Sequence, residues 1–270
     1  MSWCRKTSIR GLLAVVAVMA MWGISGFSGS SGVAYGSEGT GGHGGPGGPA
    51  GSDLWAAATI EPGREGIVEV GGYEGAPLGE GSVLTLTAPA KARVTGTPFA
   101  ALGYRGTVAL GGSNGTYTFE GASASAAAER EAVWKGRTFP FVLSVPPDAE
   151  PGTRLPDCAL VLKDANGTVR QRGTCTVTVG LPEPTLDGPQ SGVPLSASPQ
   201  MSGTAYPGAQ VTVRDALEEE VCSTTTAPDG TWSCTPVHTL PPGPGRLQAT
   251  ATLNGVSATS EQIHITVAGR

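Results

Sequence analysis

The sequence predicts an all-β protein, two β-sandwich domains in tandem after a signal peptide and a Gly-rich disordered linker. Three observations carry this. Short runs alternate apolar and polar residues with the period of a strand. Turn signals separate them, with 42 glycines and 22 prolines in 270 residues, and strands at that spacing imply sandwiches. Aromatic residues make up only 6% of the chain, so cores built mainly from Val, Leu and Ala are expected. The length has room for two domains of ordinary size, and the boundaries fall at 54–180 and 188–268.

The chain opens with a basic stretch from Arg5 to Arg10, an apolar run from Leu12 to Ile24, and small residues ending at Ala34. This reads as a signal peptide over residues 1–34. A membrane anchor needs about 18 or more apolar residues, and this run is shorter and breaks at Gly23. Cys4 precedes the apolar run and leaves with the signal. Residues 35–53, nine of them glycine, are too poor in apolar groups to bury a core and read as a disordered tether. His43, isolated within it, reads as incidental.

In the first domain, strands are expected at 67–70, 83–87, 107–110, 116–119 and 141–145. Asn114-Gly115 has the chemistry of a two-residue hairpin loop. That register sets Leu110 opposite Phe119 and places Val108, Leu110, Tyr117 and Phe119 on one core face. The Ala-rich stretch from Ala122 to Trp134 reads as a short helix or a crossing loop. Residues 181–187, with Pro182 and Pro184, form a stiff linker.

Four cysteines follow the signal: Cys158, Cys175, Cys222 and Cys234. An even number in an exported chain implies two disulfides. Between Cys158 and Cys175 lies Asn166-Gly167. Treating it as a two-residue loop puts the cysteines directly opposite each other at a non-hydrogen-bonded site, within disulfide reach. A three-residue loop would shift the register by one and need a bulge, at Gly173 for instance; the cysteines favour the shorter loop. Cys222 and Cys234 flank Pro228-Asp229-Gly230, which suits a three-residue loop and leaves them diagonal. Their pairing across that hairpin is still the one expected. Each bridge closes about 15 residues, worth on the order of 3 kcal/mol in the chain-entropy model. A zinc site is not expected, because neither pair has knuckle spacing and His238 is the only imidazole nearby.

The second domain opens with Ser202-Gly203-Thr204-Ala205-Tyr206-Pro207-Gly208-Ala209-Gln210-Val211-Thr212-Val213, with Val211 and Val213 on one strand face. Asp229-Gly230-Thr231-Trp232-Ser233-Cys234 follows, then a strand that alternates Leu247, Ala249, Ala251 and Leu253 on one face. These phrases resemble the bacterial Ig-like domain of secreted and surface proteins over roughly residues 184 to 268. The resemblance implies an Ig-like sandwich with Trp232 in the core beside Cys234. The stretch from Phe141 to Thr153 is more weakly similar to the penultimate-strand region of secreted bacterial Ig-like sandwiches. The two domains are accordingly expected to be Ig-like, each pinned by one hairpin disulfide.

A net charge of −5, more acidic still without Arg5, Lys6 and Arg10, and the lack of a basic stripe argue against nucleic acid. Gly111-Gly112-Ser113-Asn114-Gly115 matches Gly-x-Ser-x-Gly, but a strand rather than a helix is expected after Ser113, so it is not a nucleophile elbow. His238 reads as a loop residue and His264 as a solvent-facing strand residue, neither with a carboxylate at telling spacing. Glu218-Glu219-Glu220 lacks the oxygen spacing of a calcium loop and reads as a solvated edge that discourages strand pairing. Asp229 reads as a turn former. Asn114-Gly115-Thr116 and Asn166-Gly167-Thr168 match the glycosylation triplet, and turn chemistry explains both. No catalytic, cofactor or metal residue is expected.

What the resemblance implies is a secreted, non-enzymatic module for extracellular binding, adhesion or structure. Its partner would be an extracellular protein or a cell-wall polysaccharide, with no role for a membrane after signal removal. Two alternatives stand beside it. A hydrolase inhibitor would present the loop from Pro146 to Asp157 or from Val237 to Gly245, and an accessory carbohydrate-binding module would use Trp55 and Trp134 as stacking platforms.

Overall fold

The computed structural model describes residues 53–121 and 133–269. The signal peptide, the tether up to residue 52 with His43, and the Ala-rich stretch 122–132 lie outside the described residues.

The regular elements are strands. In the first half they are β1 (Leu54–Ile60), β2 (Glu65–Val70), β3 (Val83–Thr87), β4 (Arg93–Gly96), β5 (Tyr104–Val108), β6 (Asn114–Phe119), β7 (Phe139–Ser144), β8 (Arg154–Leu155), β9 (Ala159–Lys163) and β10 (Val169–Val179). The second half adds β11 (Pro194–Leu195), β12 (Met201–Thr204), β13 (Gln210–Arg214), β14 (Glu220–Thr225), β15 (Thr231–Cys234), β16 (Gly243–Leu253), β17 (Val256–Thr259) and β18 (Ile263–Val267). Two sandwiches result. The first packs a sheet ordered β1-β10-β9-β3-β6-β5, with β8 also on β10, against a sheet ordered β2-β7-β4. The second packs β11-β18-β16-β13-β14, with β17 on β16, against the pair β12-β15. β1 runs parallel to β10, whereas β9, β3, β6 and β5 are antiparallel to their neighbours.

The two cores differ in kind. The second is built from Val211, Val213, Leu247, Ala249, Ala251, Met201 and Trp232, largely the aliphatic composition expected. The first gathers the scarce aromatic side chains into one cluster, in which Phe99, Tyr104, Tyr117, Phe119, Trp134, Phe139 and Phe141 meet at centroid separations of 4.8 to 6.3 Å. Their polar atoms are satisfied. The Trp134 indole donates to Ser82 Oγ at 2.8 Å, the Trp134 amide to the Tyr104 hydroxyl at 3.0 Å, and the Tyr117 hydroxyl to the Pro140 carbonyl at 2.5 Å. Burial without lost hydrogen bonds is what makes such large side chains stabilising there.

Leu110 is a correction. It is 103% exposed, at the tip of the loop from Ala109 to Ser113, while Tyr104 takes the place opposite Phe119. Asn114 and Gly115 belong to β6, and Val108 pairs with Gly115. Gly115 serves packing rather than turning, because a Cβ there would lie 2.9 Å from both Phe141 and Val94. Gly111 and Gly112 supply the positive φ instead.

The β9–β10 turn is a second correction. Asp164 pairs with Thr168 around a three-residue loop, and the compensating bulge falls at Arg170, between the Val169 and Gln171 pairings, not at Gly173. The ladder beyond it still brings Cys158 and Cys175 together, bridged at a Cα separation of 5.2 Å. Gly173 has another reason to be glycine: a Cβ there would run into the Leu54 backbone of β1.

The second disulfide, Cys222–Cys234 with Cα atoms 6.0 Å apart, is not a hairpin bridge. β14 pairs with β13, whereas β15 crosses over to pair with β12, Cys234 lying opposite Met201. After the turn closed by Gly230 the two strands part, so the bond staples one sheet of the second sandwich to the other.

The sandwiches meet at a loop and a hairpin tip. Asn254, with φ 48° between β16 and β17, donates from Nδ2 to the Pro151 carbonyl at 3.1 Å and to Glu150 Oε1 at 3.3 Å. Gly152 packs so closely beneath it that a Cβ would lie 2.5 Å from Asn254.

Candidate functional site

The sequence motifs tested for chemistry do not converge. Ser113 is an exposed loop residue followed directly by β6. His238 sits exposed in a loop and His264 exposed on β18, on different elements. Glu218, Glu219 and Glu220 are exposed at the β13–β14 turn. That turn is closed by Asp215, whose Oδ1 accepts the Leu217 and Glu219 amides at 2.8 and 3.0 Å. Asp229 accepts the Thr231 amide and hydroxyl, and those two bonds hold its carboxyl below the usual range. Among the described residues no group of three or more His, Cys, Asp or Glu could hold a metal ion. No helix among them is long and apolar enough to cross a membrane.

The two tryptophans proposed as sugar platforms have opposite fates. Trp134 is 1% exposed and anchors the first core. Trp55 is 56% exposed, on the outward face of β1. Its backbone is fixed on both sides: the register sets it opposite Thr174 of β10, and its amide and carbonyl exchange bonds of 3.0 and 3.1 Å with Gly71. The indole spans Gly71 and Gly72. A Cβ on Gly72 would come within 2.9 Å of Trp55 Cδ1, and one on Gly71 within 3.9 Å of Cζ2. Gly72 also has φ +104°, a conformation L side chains rarely adopt. Two glycines thus lie as a bed of bare backbone beside the Cδ1–Cζ2 edge of the ring, and Gln171 Nε2 donates to the Gly72 carbonyl at 3.2 Å.

Next to this bed opens a cleft of about 780 Å³. Asp53, Tyr73, Glu74, Arg170, Gln171 and Arg172 line it. Arg170 is held by Asp164 at 2.8 Å. Arg172 is exposed and makes no ion pair among the described residues. Beyond Trp55 the outward face continues through Ala57 and Thr59 of β1 and Thr174 and Thr176 of β10, all exposed. The surface is therefore flat, with small and hydroxyl-bearing side chains along it and one fixed aromatic ring.

No known sequence family matches the chain. No curated protein matches it either. Solved structures similar to it include a biofilm-associated protein BSP domain, at 18% identity and a TM-score of 0.28 over 81% of this chain and 30% of that one. A major pilin subunit of Bacillus cereus is similar at 11% identity and a TM-score of 0.32, over 80% of this chain and 66% of that one. The C-terminal domain of an AgI/II polypeptide from Streptococcus agalactiae is similar at 10% identity and a TM-score of 0.28, over 80% and 99%. The chain thus spans 30% of the length of the first of these and 66% of the second.

The loops considered for hydrolase inhibition also differ. In the loop from Pro146 to Asp157, Glu150 and Pro151 are engaged by Asn254, and the Gly152 amide donates to the Val179 carbonyl at 2.8 Å. The loop from Val237 to Gly245 carries an exposed Val237, whose amide donates to the Val221 carbonyl at 3.0 Å. Trp232 is buried beside the inter-sheet disulfide, and its Nε1 has no hydrogen-bond partner among the described residues. The Trp55 bed was not legible in the sequence. The glycines beneath it come from β2's end and the strand beside it from more than 100 residues later, so neither is local to the tryptophan.

Proposed function

We propose that the protein is an extracellular, non-enzymatic binding module, and that it binds through the outward face of β1 and β10 centred on Trp55. Two disulfides suit an oxidising compartment. The observation that supports the reading most is the Trp55 indole, large and exposed, carried on a backbone bonded on both sides and close to a polar cleft. A lone exposed apolar residue is ordinary on a protein surface. A residue whose backbone is bonded on both sides is held in place before any ligand arrives, and preorganisation is what reduces the cost of binding.

The test uses the surface fraction of the producing organism. Full-length protein is expected to be retained on it, and Trp55→Ala to lose most of that retention while Leu110→Ala, a fully exposed apolar residue elsewhere, does not. Equal retention of all three proteins would refute the assignment of the binding face. Inhibition of secreted hydrolases at stoichiometric ratio, insensitive to Trp55→Ala, would favour the loop from Val237 to Gly245 instead.

A further inference from the structure

We infer that the Trp55 face binds a neutral polysaccharide, with a pyranose ring laid on the indole and the neighbouring sugar in the cleft lined by Asp53, Glu74, Gln171 and Arg172; this rests on the binding role proposed above. Three features of the site select that ligand. The first is shape. The exposed Trp55 shares the outward sheet face with exposed Ala57, Thr59, Thr174 and Thr176, neighbours with short side chains. An extended chain of rings can lie along it, whereas a folded protein partner needs a broader apolar centre with several anchors.

The second feature is the chemistry of the cleft. Carboxylates at Asp53 and Glu74 and the guanidinium of Arg172 are planar groups that donate or accept two hydrogen bonds in one plane, the geometry vicinal hydroxyls require. The third is charge. Two acidic residues, Asp53 and Glu74, and two basic ones, Arg170 and Arg172, line the cleft, so it carries no single-sign field, and the chain as a whole is acidic at −5. A polyanion would be repelled by the molecule and find no basic patch, while a neutral glycan meets neither obstacle. The indole supplies contact area to the C–H face of the sugar, and the cleft supplies direction.

The experiment measures depletion of the full chain by insoluble cellulose and chitin, and titrates its tryptophan emission with soluble xylan, mannan and β-glucan oligosaccharides. Binding to at least one of these is expected, with Trp55→Ala weaker by about tenfold or more and Trp55→Phe recovering part of the loss. The melting temperature should fall by only a few degrees in Trp55→Ala and less in Trp55→Phe, because more than half of the side chain is exposed. Absence of binding to every polysaccharide would overturn the inference, as would equal binding by Trp55→Ala. The surface-fraction assay separates the two levels. Retention that depends on Trp55 without any glycan binding removes the polysaccharide and leaves the binding face; retention indifferent to Trp55 removes both.

Discussion

Asp164 closes the β9–β10 turn with both carboxylate oxygens. Oδ1 accepts the Asn166 and Thr168 amides, each at 2.9 Å, and Oδ2 accepts the Arg170 Nε–H at 2.8 Å. Partial burial works toward protonating this carboxyl, but the two amides and the guanidinium outweigh it and leave its pKa below the ordinary 3.8. A carboxyl depressed in the folded state contributes stability that is fully present above its unfolded value and is lost as the pH falls through its folded one. Asp164→Asn keeps an acceptor for the turn amides yet cannot titrate or pair with Arg170. Wild type is therefore expected to be more stable than Asp164→Asn at pH 7, with the gap closing as the pH drops below 3.8. Urea unfolding across pH 7 to about 2.5 measures this; a gap that stays constant over the series would show that the bonds at Asp164 do not depend on its charge.

At the scale of elements, the two disulfides do different work although they close loops of similar length, with separations of 17 and 12 residues. Cys158–Cys175 lies at the end of the β9–β10 ladder, whose hydrogen bonds and the parallel β1 hold the strands together without it. Cys222–Cys234 joins strands in different sheets, and among the described residues β15 is otherwise bonded only to β12 and to the turn before it. Replacing Cys222 and Cys234 by Ala should cost about 3 kcal/mol and lower amide-exchange protection in β12 and β15. The Cys158 and Cys175 double variant should lose similar global stability while its β9 and β10 amides stay protected in the native state. Unchanged protection of β15 in the first variant would show that the bond is not what keeps the short sheet docked. The same elements show what was legible. Strand alternation gave β13 and β16 their inward faces, because period-2 patterning is local and one face of each is buried. The two Asn-Gly pairs depart from two-residue hairpin loops for a physical reason: a glycine serves a turn or a close contact equally well, and only tertiary packing decides. Gly115 is small to admit Phe141 and Val94, and at Asn166 the Asp164 carboxylate organises a three-residue loop instead. Leu110 went to the surface with that register.

For the molecule as a whole, the contact at Asn254 bears on whether the sandwiches act as one body. The last strand of the first sandwich and the second core are nearly continuous in sequence. Val179 is buried in the first core, Leu181 in the second, and between them the Gly180 amide donates to the Ile60 carbonyl at 2.8 Å. Thr185 and Asp187 then bond along β12, through their amides to the Thr204 and Ser202 carbonyls at 2.8 and 2.9 Å. The tether is thus short and bonded at each end, and Asn254 on Glu150, Pro151 and Gly152 makes a second attachment. Two attachments remove the hinge freedom that one would leave. Asn254→Gly tolerates the positive φ and deletes the amide bonds together with the Cβ that packs on Gly152, so each sandwich should keep its own fold. The expected loss is about 1 kcal/mol, together with a broader distribution of interdomain distances in small-angle scattering and faster proteolysis between Gly180 and Thr185. Gly152→Ala should act in the same direction and more strongly, since its Cβ would meet Asn254 at 2.5 Å. Scattering curves for both variants that superimpose on that of the wild type would mean the short tether alone fixes the pair. Broadening in both would make the hairpin tip the clamp that holds the proposed binding face on β1 and β10 at a set angle to the second sandwich.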